Sequence, residues 1–121
     1  MATNYVNEGC TIDIVAASDI SSGDVVAVGN LLGVAVADIA TGETGALSTE
    51  GVFDVPKVTG AVIAQGETVM WDSSAAKFDD NQATAAAGDI SNGAIAWEAA
   101  GNGVTTVRIK LTPAGTLGAL I

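Results

Sequence analysis

Acidic side chains are the most numerous groups in this sequence that could do chemistry. Fourteen Asp and Glu residues stand against four Lys and Arg residues, which gives a formal net charge of −10, and there is no histidine. Paired carboxylates could act as acid and base in glycoside cleavage, but a sequence does not set the distance between two of them. An enzyme that uses carboxylates in an unrecognised way is therefore one hypothesis among several.

The densest acidic group could hold a hard cation such as Ca²⁺ through oxygen ligands. It consists of Asp72, Asp79, Asp80 and Asp89. These residues lack the D-x-[DN]-x-[DN]-G spacing with which a calcium-binding loop arranges its ligands around one centre. We therefore interpret the segment as a solvent-exposed loop, and we predict neither a metal site nor a bound cofactor.

The residues that most other enzyme designs require are missing. Without histidine the chain cannot assemble a Ser-His-Asp triad, and it contains no G-x-x-x-x-G-K-[ST] phosphate-binding loop. Cys10 is the single cysteine, which excludes an intramolecular disulfide and a cysteine-based zinc site. The negative charge disfavours binding to nucleic acid or to an anionic membrane, because both depend on basic patches. We predict that the protein is not an enzyme.

The two tryptophans allow two interpretations. Trp71 and Trp97 could stack on sugar rings, which would make the protein a small β-barrel module that binds glycans or a host surface. Large side chains are scarce, however, since only 4% of the residues are aromatic. We therefore expect both tryptophans to fill the core, together with Phe53, Met70 and Phe78. The glycan-binding module stays as the alternative function.

Short β-strands separated by glycine-containing turns are the elements that would position these residues. Val107, Ile109 and Leu111 alternate with polar residues in the clearest half-buried strand. The strand candidates are 11–16, 24–28, 32–37, 46–55, 68–71, 94–97 and 104–111. This spacing predicts an all-β fold, a small single-domain β-barrel or β-sandwich of short strands. One or two short helical turns, at 61–65 and 83–87, could accompany the strands.

The β-domain of residues 11–111 contains a weak internal sequence repeat. Gly23-Asp24-Val25-Val26 is matched by Gly66-Glu67-Thr68-Val69, and a run of glycine and apolar residues follows each motif. The repeat predicts two related halves at about 20–55 and 63–111. The second half would contain an insertion, because its two landmarks lie further apart.

The termini form the remaining segments, an N-terminal arm of residues 1–10 and a C-terminal tail of residues 112–121. The arm lacks a secretory signal, and no run of the chain is long enough for a membrane-spanning helix. The tail ends with apolar residues although Pro113 and two glycines disfavour a helix. The tail either folds back on its own domain or docks on a neighbouring subunit or partner.

Short motifs follow one another along the chain: A-T-N-Y-V-x-E-G (2–9), S-G-D-V-V (22–26), L-x-G-V-A-x-x-D-I-A-x-G-E-T-G (31–45) and E-G-V-F-x-x-P-K (50–57). This ordered series resembles a family of small head proteins of tailed phages and prophages that is associated with capsid decoration, or cement. The resemblance runs from about Ala2 to Leu111. Residues 112–121 look like an addition to the usual end of the family.

The resemblance implies a structural virion protein that binds the outside of the capsid and stabilises the expanded shell. Its partner would be the major capsid protein, and it would form a homo-oligomer, with a trimer expected and a dimer as the alternative. It would be made in the cytoplasm of the host bacterium and lie on the outer surface of the virion. The expected capsid contacts are Thr3, Asn4, Tyr5 and Val6, and the expected subunit or capsid contacts are Leu117, Leu120 and Ile121.

Overall fold

Ten β-strands form the regular structure in a computed structural model of the chain, which describes residues 3–4, 7, 9–81 and 89–112 and the backbone of 116–117. No helix that could cross a membrane occurs among these residues. The strands are β1 (Thr11–Val15), β2 (Val25–Val28), β3 (Leu31–Ala35), β4 (Thr44–Ser48), β5 (Val52–Pro56), β6 (Thr68–Asp72), β7 (Lys77–Asp79), β8 (Ile90–Ala96), β9 (Thr106–Leu111) and β10 (Thr116–Leu117). The all-β prediction is confirmed, and the arrangement is sandwich-like because two antiparallel sheets form without closing into a barrel.

Neither of the two predicted helical turns is found in the part of the chain that the structure describes. At 61–65 the prediction is wrong, because Ile63 and Ala100 exchange two backbone hydrogen bonds of 2.9 Å in an antiparallel bridge. An extended residue in such a bridge cannot also close a helical turn. The other turn, at 83–87, lies outside the described residues.

The two sheets have the same strand order over four strands. The first sheet is ordered β1-β4-β3-β2, and the second is ordered β5-β9-β8-β6-β7, with β10 pairing with β8. All of these pairs are antiparallel. The strands β1, β4, β3 and β2 therefore correspond to β5, β9, β8 and β6, and β7 has no counterpart in the first sheet.

The turn that leads into β2 is repeated in front of β6. Gly23 donates its backbone N–H to Ala35 O at 2.9 Å, and Gly66 donates to Ala96 O at 2.8 Å. Both glycines have positive φ angles, 89° and 82°, which glycine adopts without the steric cost that a Cβ brings. The repeated motif of the sequence thus coincides with a repeated hydrogen-bond pattern.

The main core is built largely on the second sheet. Val55, Val107 and Ile109 from β5 and β9 are at most 2% exposed, and Leu32 and Val34 of β3 join the same cluster from the first sheet. The second sheet therefore has a closely packed interior to which the first sheet is attached through β3.

Lys57 is an unusual member of the interior because it is a charged side chain that is only 1% exposed. Its Nζ donates hydrogen bonds to Val58 O at 2.7 Å, to Ala61 O at 2.5 Å and to Thr59 O at 3.3 Å. A buried ammonium is tolerated when its donors are satisfied. The loop that follows β5 therefore wraps around the ammonium group.

Candidate functional site

Two of the four predicted capsid contacts lie in the described part of the chain. Thr3 and Asn4 are exposed residues of a turn. Tyr5 and Val6 lie outside the described residues. The side chains of Thr3 and Asn4 are therefore accessible to a partner.

The N-terminal segment is fixed to the domain at Gly9 and Cys10. Thr49 donates its backbone N–H to Cys10 O at 2.9 Å and its hydroxyl to Gly9 O at 2.5 Å. The Cys10 thiol donates to Glu50 Oε2 at 3.4 Å. These bonds hold the base of the arm against the connection between β4 and β5.

An open groove of about 1000 Å³ lies beside this anchor. It is bordered by Asn7, by Ile12 and Leu31 of the first sheet, and by Lys110 and Leu111 of the second sheet. The groove thus joins the base of the N-terminal arm to both sheets.

The tail returns to its own domain at β10. Thr116 and Leu117 pair with Ser91 and Ile90 of β8. Leu120 and Ile121 lie outside the described residues. At Leu117 the backbone is therefore part of the second sheet.

The tryptophans differ in burial. Trp71 is 6% exposed and packs edge to face against Phe78, with ring centroids 5.0 Å apart, so the prediction that it fills the core is confirmed. Trp97 is 47% exposed, and the same prediction is wrong for it. Trp97 follows the last residue of β8, where its backbone N–H donates to Arg108 O at 2.7 Å and its side chain stays outside the core.

Arg108 joins two carboxylates on the outer face of β9. Its Nε and Nη2 donate to the two carboxylate oxygens of Asp54 at 2.9 and 3.1 Å, and Nη1 donates to Glu98 Oε1 at 3.1 Å. The hydrogen bond from Arg108 lowers the pKa of Asp54, and the same bond raises the pKa of Arg108. Because these side chains are about half exposed, solvent screens the attraction and the pairs contribute little to stability.

The acidic segment at 72–89 orders its own turn. Asp72 accepts a hydrogen bond of 2.7 Å from the Ser74 hydroxyl, and this bond, together with backbone donors, lowers the pKa of Asp72. Asp89 Oδ1 accepts from the backbone N–H and the hydroxyl of Ser73 at 3.1 and 3.3 Å. Within the described ranges, no three Cys, Asp or Glu side chains come close enough together to hold a metal ion.

The basic residues are distributed unevenly between the two sheets. Residues 11–48, which contain the whole first sheet, include five exposed carboxylates and no Lys or Arg. The carboxylates are those of Asp13, Asp19, Asp24, Asp38 and Glu43. The four basic residues, Lys57, Lys77, Arg108 and Lys110, all lie in or beside the second sheet. The first sheet therefore presents a uniformly acidic surface, which attracts a basic partner and repels a second copy of itself.

Sequence reasoning missed the strand β7. Phe78 at its centre is 0% exposed, which confirms that it fills the core, although the segment around it was interpreted as an exposed loop. A strand of three residues is too short to show an alternating pattern. The available signal was the presence of a single phenylalanine within a polar segment.

The sequence of the chain matches a known protein family. A sequence model of one family, described as phage cement protein, matches residues 6–111. The chain belongs to this family. Among curated proteins none matches it. The matched range spans β1 to β9, so both sheets are part of the family's common region, whereas β10 and Thr3 and Asn4 lie outside it.

Membership in the cement family makes the chain a structural protein of the phage capsid. It associates with the capsid and is located in the virion. The resemblance to head cement proteins is therefore confirmed.

Proposed function

We propose that this cement protein binds the outer surface of the phage capsid and stabilises the expanded shell, with the major capsid protein as its partner. The observation that carries the proposal is the family match across both sheets. The net charge of −10 supports an outside position, since such a molecule is repelled by packaged DNA.

The stabilisation follows from mass action. A protein that binds the expanded shell but not the loose subunits shifts the equilibrium toward the expanded shell. Many copies act together, and if each copy is part of a homo-oligomer, several modest contacts combine into firm attachment. We propose a trimer, with a dimer as the alternative.

The N-terminal arm is the proposed capsid contact, through Thr3, Asn4, Tyr5 and Val6. Its support is the anchor described above, because hydrogen bonds from Thr49 fix the arm at Gly9 and Cys10, and the exposure of Thr3 and Asn4. An arm that becomes extended on binding can add a strand to the exposed edge of a partner's sheet. For the tail, Leu117, Leu120 and Ile121 remain proposed contacts with a subunit or with the capsid.

Co-sedimentation with expanded and unexpanded capsids of the parent phage tests the proposal, together with the mass in solution by light scattering. We expect saturable binding to expanded shells only, at a fixed ratio to the major capsid protein. Absence of binding to both forms would contradict the proposal, and the glycan-binding alternative would then be tested through the exposed Trp97.

Deletion of residues 1–8 tests the arm separately. The variant should fold, because β1 begins at Thr11 and the anchor at Gly9 is retained. We expect it to lose binding to expanded shells while its circular dichroism spectrum stays that of the full chain. Retained binding would show that the contact lies elsewhere on the domain.

A further inference from the structure

The strand β7 covers the open side of the second sheet. Phe78 lies at its centre, contacts Trp71 and forms a parallel bridge with Lys57 at the end of β5. Its carbonyl oxygen accepts a hydrogen bond of 2.8 Å from Val58 N–H. The space between the two outer strands β5 and β6 is thereby filled with a large apolar side chain.

The first sheet has no strand in the corresponding place. Its strand β2 ends at Val28 and turns directly into β3 through Gly29 and Asn30, whereas β6 continues into β7. Val28 corresponds to Trp71 because each lies five residues after the repeated turn glycine, Gly23 or Gly66. Ile14 corresponds to Val55 through their cross-strand partners.

The missing strand leaves apolar side chains incompletely covered. Trp71 and Val55 in the second sheet are 6% and 1% exposed, whereas Val28 and Ile14 are only half-buried. The same position that is sealed in the second sheet is therefore open to solvent in the first.

A groove of about 740 Å³ lies along this opening. Ile14 and Val15 of β1 and Val26, Ala27 and Val28 of β2 line it from the first sheet, and Pro56, Trp71, Ser73 and Ala76 line it from the second half. The strands β1 and β2 are the edges of the first sheet, and within the described ranges no further strand pairs with either of them. Edge strands present unpaired backbone N–H and C=O groups, so the groove offers a template for one more strand.

The charge around the groove indicates which kind of segment fits. Asp19 and Asp24 line it, and no basic residue lies anywhere in the first sheet. A second copy of this chain would bring a net charge of −10 to an acidic surface. A segment with Lys or Arg residues would instead be attracted and correctly oriented.

We propose that the groove between β1 and β2 receives an extended, basic segment of the capsid shell, which pairs with β2 and places one large apolar side chain where Phe78 lies in the second sheet. The chemistry of the segment follows from the groove, and its assignment to the shell rests on the proposed function. In this complex the first sheet gains from its partner the strand that the second sheet contains within its own chain.

Labelling of a cysteine in the groove tests the proposal. Val28 is half-buried and lines the groove, so Val28→Cys in a Cys10→Ser background places one thiol at the uncovered position with little change in volume. Ala99→Cys, on an exposed residue of the second half, is the matched control. We expect a bulky maleimide at position 28 to weaken binding to expanded shells by about tenfold or more, and the same label at position 99 to have little effect.

A photoreactive maleimide on the same two variants identifies the occupant. We expect position 28 to cross-link to a shell segment that contains a large apolar residue flanked by Lys or Arg. Cross-links to a second copy, or to the termini of the same chain, would overturn the proposal.

Different results would overturn the groove proposal and the proposed function. If unlabelled protein binds expanded shells and both labelled variants bind equally well, the groove proposal is wrong and the cement function stands. If unlabelled protein binds neither form of the shell, the proposed function fails and the assignment of the segment to the shell fails with it. Binding that does not weaken between low and high salt would contradict the basic character of the segment.

Discussion

Leu32 packs over Gly93, the residue that occupies the corresponding place in the other sheet. Leu32 lies three residues before Ala35, and Gly93 lies three residues before Ala96, the two residues that accept the repeated turn hydrogen bonds. A Cβ at position 93 would lie 2.7 Å from Leu32 Cδ1 and 3.0 Å from its Cγ. The two sheets therefore meet where a large side chain of one fills the space that glycine leaves on the other.

Gly93→Ala should destabilise the protein by about 1–3 kcal/mol, because Leu32 is 0% exposed and has no room to move away from the added methyl group. Urea unfolding measures the loss. Gly60→Ala is the matched control, since no atom lies within 4 Å of a Cβ there. In a Leu32→Ala background the penalty at position 93 should largely disappear, and an unchanged penalty would show that the contact is not its cause.

Lys57→Met should cost at least about 2 kcal/mol of unfolding free energy, because the loop carbonyls that accept from the ammonium would be left buried without a donor. Lys77→Met, at an exposed position of β7, should change stability little. Equal midpoints of urea unfolding for both variants would contradict a structural role for the Lys57 ammonium.

Thr41→Val should make stability less sensitive to acid. The Thr41 hydroxyl donates to Asp19 Oδ1 at 2.7 Å and its backbone N–H donates at 2.9 Å, and these bonds lower the pKa of Asp19. A carboxylate whose pKa is lowered by folding stabilises the native state above the unfolded-state pKa, and this contribution is lost as the pH falls through the folded-state pKa. The advantage of the parent protein over Thr41→Val should therefore shrink below about pH 4.

Carbon-detected NMR titration of the Asp19 carboxyl gives the direct measurement for this pair. The pKa should rise in Thr41→Val and stay unchanged in Thr105→Val, which alters an exposed threonine elsewhere. An Asp19 pKa that is the same in all three proteins would show that Thr41 does not stabilise the carboxylate.

Trp71 and Trp97 should give distinct fluorescence when each is studied alone. Trp97→Phe leaves only the buried Trp71, and its emission should be blue-shifted and resistant to acrylamide. Trp71→Phe leaves the half-exposed Trp97, whose emission should be red-shifted and readily quenched. Similar quenching constants for the two variants would contradict this difference in burial.

Strand positions could be predicted from the sequence where apolar and polar residues alternate over enough positions to indicate which side chains are buried. The alternation of Val107, Ile109 and Leu111 with polar residues predicts β9, and all three side chains are buried. The segment 46–55 was interpreted as one strand, but it contains the end of β4, a turn and most of β5. Gly51, with a φ of 124°, marks that turn, and a glycine in an apolar run is a weak sign of a break.

The features that escaped prediction depend on contacts between distant parts of the chain. Lys57 is buried because a loop folds around its ammonium, and nothing in its neighbours along the chain signals this. The strand β7 escaped prediction because it is defined by its pairing with β6 and its bridge to the end of β5. Trp97 was expected in the core because large residues are scarce, but composition does not tell on which side of a sheet a residue lies.

The two sheets differ in how their charges are mixed. Residues 11–48 have five carboxylates and no base, whereas residues 49–112 have eight carboxylates and four bases. A partner that carries Lys or Arg therefore meets no like charge on the first sheet, whereas on the second it also meets the cations of Lys77, Arg108 and Lys110. Collisions through the first sheet should therefore be the more productive ones, and low ionic strength should raise their rate because salt screens the attraction.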